Sequence, residues 1–263
     1  MADGAERLRG AFSSERAVLV PYLMGGYPDL DATREAARAV ADHAAVIEIG
    51  IPFSDPLADG PTIQTAGQHA LDAGIRPDDI LEMISDLRDG PPIVVMTYIN
   101  LLLHRGARAF MERAAACGVA GMIVPDMPLD EGADVREAAR RAGVAIVPLA
   151  APTTSEARLA AIGAQAEAFV YLVSVAGVTG GDVAVDEHLR AFIARARAAI
   201  DAPIVVGFGI RTPEQAAAVG ELADGVVVGS QFVRTMGETT DPAARVAAVT
   251  ESARALASAL PTR

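Results

Sequence analysis

Apolar positions along this chain gather into eight short runs with almost no polar interruption: Ala17–Met24, Val46–Ile49, Ile93–Tyr98, Gly121–Val124, Ala145–Pro148, Phe169–Val173, Pro203–Val206 and Gly225–Val228. Longer segments of helical spacing separate them, at Asp31–Asp42, Pro61–Ala73, Pro77–Arg88, Arg105–Cys117, Asp130–Ala142, Ser155–Ile162, Asp186–Ile200, from Pro213 onward and at Pro242–Ala259. A further amphipathic segment, Ala2–Phe12, comes first. Strands buried on both faces lack the apolar–polar alternation of a half-exposed sheet, and strict alternation of such strands with helices implies right-handed parallel βαβ units. Eight evenly spaced units with no linker predict an α/β fold, a (β/α)8 TIM barrel, as a single domain over residues 1–263 with an extra N-terminal helix. An open doubly wound sheet fits the even spacing less well.

Composition narrows the class. The 263 residues are 51% hydrophobic, enough for a large core, yet no stretch reaches the roughly 20 apolar residues of a membrane helix. Residues 1–7 contain no apolar core of the kind a secretory signal needs, and the only cysteine, Cys117, excludes an internal disulfide, so a cytoplasmic protein is expected. The net charge of −12, with no basic run, argues against nucleic acid and makes any anion site a local one. All 22 basic residues are arginine; without lysine the chain forms no Schiff base. The four histidines share no ligand spacing, so neither a metal nor a cofactor is expected on this chain.

In such barrels the chemistry sits in the loops at the C-terminal ends of the strands. The second run carries Glu48 inside apolar sequence, and its loop carries Asp59. Desolvation should raise the pKa of Glu48, while Asp59 on a polar loop ionises more readily, and unlike environments divide acid from base roles. The alternative is structural: Glu48 pairs with an arginine and Asp59 caps the helix that follows. Gly207, Gly209 and Gly229, after the last two strands, suit backbone binding of a phosphate, with Ser230 adding a hydroxyl; tight turns alone would also use glycine. Tyr22, Tyr98 and Tyr171 lie in or at the ends of strands, where they line an apolar pocket or simply join the core, and Thr179-Gly180-Gly181 has the small residues of a lid.

The run Glu48-Ile-Gly-Ile-Pro-Phe-Ser-Asp-Pro-Leu-Ala-Asp-Gly-Pro-Thr-Ile-Gln64 resembles the signature of the tryptophan synthase alpha chain family, and Pro125-Asp-Met-Pro128, Gly177-Val-Thr-Gly180, Gly207-Phe-Gly-Ile210 and Gly229-Ser230 resemble its later landmarks in order. The resemblance implies a lyase: retro-aldol cleavage of indole-3-glycerol phosphate to indole and glyceraldehyde 3-phosphate in tryptophan biosynthesis. It implies Glu48 as the base and Asp59 as the group that hydrogen-bonds the indole N–H. Tyr22, Tyr98 and Tyr171 fall around the indole, Thr179 on the lid, and Gly180, Phe208, Gly209, Gly229 and Ser230 at the phosphate. It also implies an αββα complex with a beta chain that carries pyridoxal phosphate, approached through Pro52, Phe53 and Asp55. Val175, Met24, Tyr27 and Leu101 depart from residues common in the family and bear on loop behaviour rather than on the carboxylates. Two other functions stay open at this point: a self-sufficient indole-releasing lyase, and a catalytically weak barrel that binds a phosphate ligand or acts allosterically.

Overall fold

The computed structural model describes residues 3–173, 185–207 and 209–262. Its strands are β1 (Val18–Met24), β2 (Ile47–Gly50), β3 (Ile93–Met96), β4 (Val119–Ile123), β5 (Ala145–Ile146), β6 (Leu149–Ala150), β7 (Val170–Val173), β8 (Ile204–Gly207) and β9 (Gly225–Val228). All pair in parallel in the order β5-β4-β3-β2-β1-β9-β8-β7-β6. The two ends of that order lie on one continuous segment: β5 opens the expected strand Ala145–Pro148, and β6 begins just past its end. The expected end is therefore corrected: the extended segment runs on to Ala150 and is interrupted at Val147-Pro148, because Pro148 has no N–H to give a ladder. Val147 N–H donates to Met122 O on one side (2.9 Å), and Pro148 O accepts from Tyr171 N–H on the other (3.0 Å). The split strand therefore closes the sheet into the expected eight-stranded barrel. At the split, Ile146 N–H donates to the Glu167 carboxylate at 3.1 Å instead of to a neighbouring strand.

The helices are α1 (Gly4–Gly10), α2 (Leu30–Val40), α3 (Pro61–Asp72), α4 (Pro77–Ser85), α5 (Ile99–Arg105), α6 (Ala107–Ala116), α7 (Ala133–Ala142), α8 (Glu156–Gln165), α9 (Glu187–Ala199), α10 (Pro213–Gly220), α11 (Ser230–Gly237) and α12 (Pro242–Ala259). Their starts follow local chemistry: Asp29, Ser155, Asp186, Thr212 and Asp241 each accept a first-turn backbone N–H through the side chain. Three expectations need correction. The third strand ends at Met96, not Tyr98, and α5 fills the segment before Arg105, with Gly106 at φ 81° turning the chain into α6. The helix from Pro77 stops at Ser85 rather than Arg88. A separate helix, α11, starts at Ser230, where the sequence reading placed only a glycine-serine turn.

Strand residues divide by parity into two layers. Leu19, Leu23, Ile47, Ile49, Val95, Leu172 and Val206 face the helices, while Val18, Val20, Tyr22, Val46, Val94, Phe169, Tyr171 and Val205 fill the barrel interior. Helix α1 plugs the floor: Leu8 is fully buried, and Phe12 packs against Phe169 with ring centroids 5.2 Å apart. With the floor closed, the mouth at the strands' C-terminal ends is where side chains of the inner layer can meet a ligand.

Candidate active site

Glu48 falls on the inner face of β2, directly beside Tyr22 of β1 and Val94 of β3 in the strand register. It is 2% exposed, and its Oε2 has no hydrogen-bond partner. Burial first, and the charge of Asp59 second, push its pKa from 4.5 to about 8. The arginine pairing considered above is not what holds it: the charged group acting on Glu48 is another carboxylate.

Asp59 reaches the mouth from the β2–α3 loop. The capping alternative also fails for it, because Gly60 is the N-cap of α3 and no side chain caps that end. Instead, the Tyr98 hydroxyl donates to Asp59 Oδ2 at 3.1 Å and accepts the Ala58 N–H at 3.1 Å. Burial raises the Asp59 pKa to about 6 while the Tyr98 hydrogen bond opposes that rise. The two carboxyls thus keep the order expected from the sequence, Asp59 ionising first, although burial raises both. At pH 7 the arrangement holds a largely protonated glutamic acid near a largely ionised aspartate. Unlike environments create an acid and a base from one functional group.

Three tyrosines wall the site. Tyr22 and Tyr171 are buried, and their phenol pKa values are driven well above the usual value, by burial and then by the two carboxylates. Both lean along their strands toward the mouth. A Cβ at Gly50 would collide with the Tyr22 hydroxyl, and one at Gly207 with the Tyr171 hydroxyl. Glycine at those strand ends is therefore required by space. Tyr98 is the N-cap of α5, and Phe53 stacks on its ring, 5.0 Å between centroids and 24° between planes.

At the ends of β8 and β9, Gly209 adopts φ 79°, where a side chain would be strained, and Gly229 is the N-cap of α11, with Ser230 its first residue. First-turn N–H groups have no partner within the helix and can face an anion. A Cβ on Gly229 would lie 3.4 Å from Tyr22 and 3.5 Å from Ile63, so this helix end adjoins the tyrosine wall. Thr179, Gly180 and Phe208 lie outside the described residues. Ile63, Gly50 and the loop residue Asp126, whose Oδ1 accepts Ile99 N–H next to Tyr98 at 2.9 Å, were not anticipated as site residues. Gly50 carried a legible signal, a glycine closing a strand beside a tyrosine-bearing one.

Pro52 is buried, Phe53 half-buried and Asp55 exposed, the last hydrogen-bonded to Ser54 at 2.6 Å. Beyond them Leu57 is 89% exposed, and Leu103 on α5 is 58% exposed. A cleft of about 730 Å³ lies elsewhere, on the outer wall between α7 and α8, and holds neither Glu48 nor Asp59. Among the described residues, no cluster of three or more His, Cys, Asp or Glu could hold a metal, and no helix is long and apolar enough to cross a membrane.

Comparison with known proteins agrees with this architecture. The family model for the tryptophan synthase alpha chain matches residues 9–261. The alpha chain of Synechococcus elongatus is 46% identical over 230 residues, which are 86% of each chain. The crystal structure of the Legionella pneumophila alpha subunit superposes with a TM-score of 0.85 at 32% identity, covering 97% of this chain and 99% of that one. A structure of tryptophan synthase from M. tuberculosis, with a bound compound in its open form, gives 0.84 at 34% identity over 95% and 98%.

Proposed function

Because the chain belongs to the tryptophan synthase alpha chain family, whose members cleave indole-3-glycerol phosphate to indole and glyceraldehyde 3-phosphate, we propose that Glu48 and Asp59 carry out this cleavage at the barrel mouth. The observation that carries the assignment is Glu48: a buried carboxyl, one oxygen of it unpartnered, protonated near neutral pH and lying within the field of an ionised aspartate.

The chemistry follows from those states. Protonated Glu48 gives its proton to the indole carbon that bears the glycerol side chain, turning the ring into an iminium-like electron sink. Asp59 accepts a hydrogen bond from the ring N–H and stabilises the positive charge that develops there. Such a preorganised charge is worth roughly 3–4 kcal/mol in comparable sites. Glu48, now a carboxylate, removes the proton from the side-chain hydroxyl. The oxygen's electrons form the aldehyde carbonyl, the carbon–carbon bond breaks, and its electron pair returns through the ring to the indole nitrogen. One proton leaves Glu48 and one returns, so the enzyme ends as it began. Neither a lysine nor a metal is called on, because the substrate supplies the sink.

Tyr22, Tyr98 and Tyr171 enclose the indole, while Gly180, Phe208, Gly209, Gly229 and Ser230 hold the phosphate and Thr179 orients Asp59 from the lid. The N-terminus of α11 supports this assignment, as its first-turn N–H groups, which have no partner within the helix, lie beside Tyr22. We also propose that residues 1–263 act as one domain in an αββα complex in the cytoplasm, the beta chain carrying pyridoxal phosphate. Pro52, Phe53 and Asp55, with the exposed Leu57 and Leu103, would then meet the beta chain. Indole release from indole-3-glycerol phosphate, measured alone and with a beta chain, tests the proposal. Release accelerated by the beta chain is expected; no release under either condition would refute it.

A further inference from the structure

The segment Val124-Pro125-Asp126-Met127, at the end of β4, contains a carboxylate that the cleavage chemistry leaves unused. Its backbone is a tight turn: Met127 N–H donates to Val124 O at 3.2 Å, with Pro125 in the second position, which its fixed φ favours. The turn presents Asp126 to the neighbouring strand end, where its Oδ1 accepts Ile99 N–H at 2.9 Å. Ile99 is the first residue of α5, and Tyr98 before it is the N-cap. Helix N-caps usually satisfy this end with their own side chain. Tyr98 does not, because its phenol points away to Asp59 and Ala58, so the cap comes from another strand's loop.

Tyr98 is thereby fixed at three places. Thr97 N–H donates to Ile123 O at 3.0 Å and Asp126 takes the Ile99 N–H, which holds the backbone on both sides of it. Phe53 stacks on the ring, and the hydroxyl bridges Ala58 N–H and Asp59 Oδ2. Asp59 stands on a loop, and among the described residues the Tyr98 hydroxyl is the side chain that holds its carboxylate, so its direction depends on where that hydroxyl sits.

We infer that Asp126 is a positioning residue for the lyase reaction: by capping α5 it anchors Tyr98, and through the Tyr98 hydroxyl it aims Asp59 at the substrate. The inference rests on the assignment of Asp59 to the indole nitrogen made above. A small misplacement of a reacting group costs rate far out of proportion to the stability lost.

The test is steady-state indole release by the chain assembled with a beta chain, for D126A, D126N, Y98F, D126A/Y98F and D59N. Asp126→Ala should lower kcat on the order of tenfold with KM changed by less than about twofold, since it displaces a charge-stabilising group rather than a binding one. D126N retains an acceptor oxygen and should recover most of the rate. D126A/Y98F should be no slower than Y98F alone, because both act through one hydroxyl. If D126A fails to fold, D126S takes its place, its hydroxyl being too short to reach Ile99. A wild-type rate in D126A, no recovery in D126N, or a full additional loss in the double variant would each overturn the inference. D59N separates the two levels. If it turns over normally, the assignment of Asp59 itself is wrong; if it is inactive while D126A is normal, only the role of Asp126 fails.

Discussion

Replacing Glu48 with glutamine should make the protein more stable, and increasingly so as pH rises. The side chain keeps its shape and loses only its ability to ionise. In the unfolded chain this carboxyl titrates near 4.5; in the folded barrel burial and Asp59 move it to about 8. Below pH 4.5 both states hold the proton, so wild type and E48Q differ by a constant. Between 4.5 and 8 the unfolded wild type loses its proton while the folded one keeps it, which favours unfolding. Each pH unit in that window should therefore widen the advantage of E48Q by up to about 1.4 kcal/mol. The ceiling is about 5 kcal/mol near pH 8, and water entering the mouth would reduce it to about 2. Urea unfolding of both proteins at pH 4, 6, 7, 8 and 9, compared as a difference, cancels groups that titrate alike in both. A difference that does not change with pH, or that shrinks as pH rises, would refute the claim that Glu48 is a buried, neutral acid.

Other consequences follow from the same geometry. The rate kcat/KM should be bell-shaped in pH, rising as Asp59 ionises near 6 and falling as free-enzyme Glu48 deprotonates near 8. A profile rising monotonically through pH 9 would mean that Glu48 begins as a base. Gly50→Ala puts a methyl where the Tyr22 hydroxyl sits, so unfolding should be easier by about 1–3 kcal/mol, and adding Tyr22→Phe should restore only part of that, since the ring carbon Cζ would still lie 2.7 Å from the methyl. Equal melting temperatures of G50A and wild type would contradict this packing. Leu57→Asp should weaken beta-chain binding by about 1–3 kcal/mol in titration calorimetry without lowering the chain's own melting temperature. Unchanged affinity would remove Leu57 from the partner surface.

Much of this was legible in the sequence, and for reasons that can be stated. Parallel barrel strands are buried on both faces, so their apolar runs stand out, and one polar residue in such a run, Glu48, marks an inward position at once. Residues 145–148 read as one strand because apolar content does not show that Pro148 splits the hydrogen-bond ladder. Helix α11 has little local signature, because Ser230-Gln-Phe-Val-Arg-Thr-Met-Gly237 is short and its N-cap is a glycine with no side chain to mark the start. The third strand stops short of Tyr98 for a related reason. A tyrosine after a β-branched run extends the pattern, whereas the chain has already turned into α5 with a cap supplied from a distant loop. Tertiary partners such as Asp126 to Ile99 and Tyr22 to Gly50 have no local signature, since they depend on which strands become neighbours.

The central claim is that Glu48 moves the protons of the cleavage while Asp59 steadies the ring. Its most direct test is a single-turnover measurement of indole release by E48Q at saturating indole-3-glycerol phosphate, beside wild type, with substrate affinity measured separately. General acid–base catalysis of this kind contributes roughly 10²–10⁴-fold, so E48Q should bind substrate within about threefold of wild type yet release indole at least a hundredfold more slowly. Release within tenfold of the wild-type rate would contradict the account.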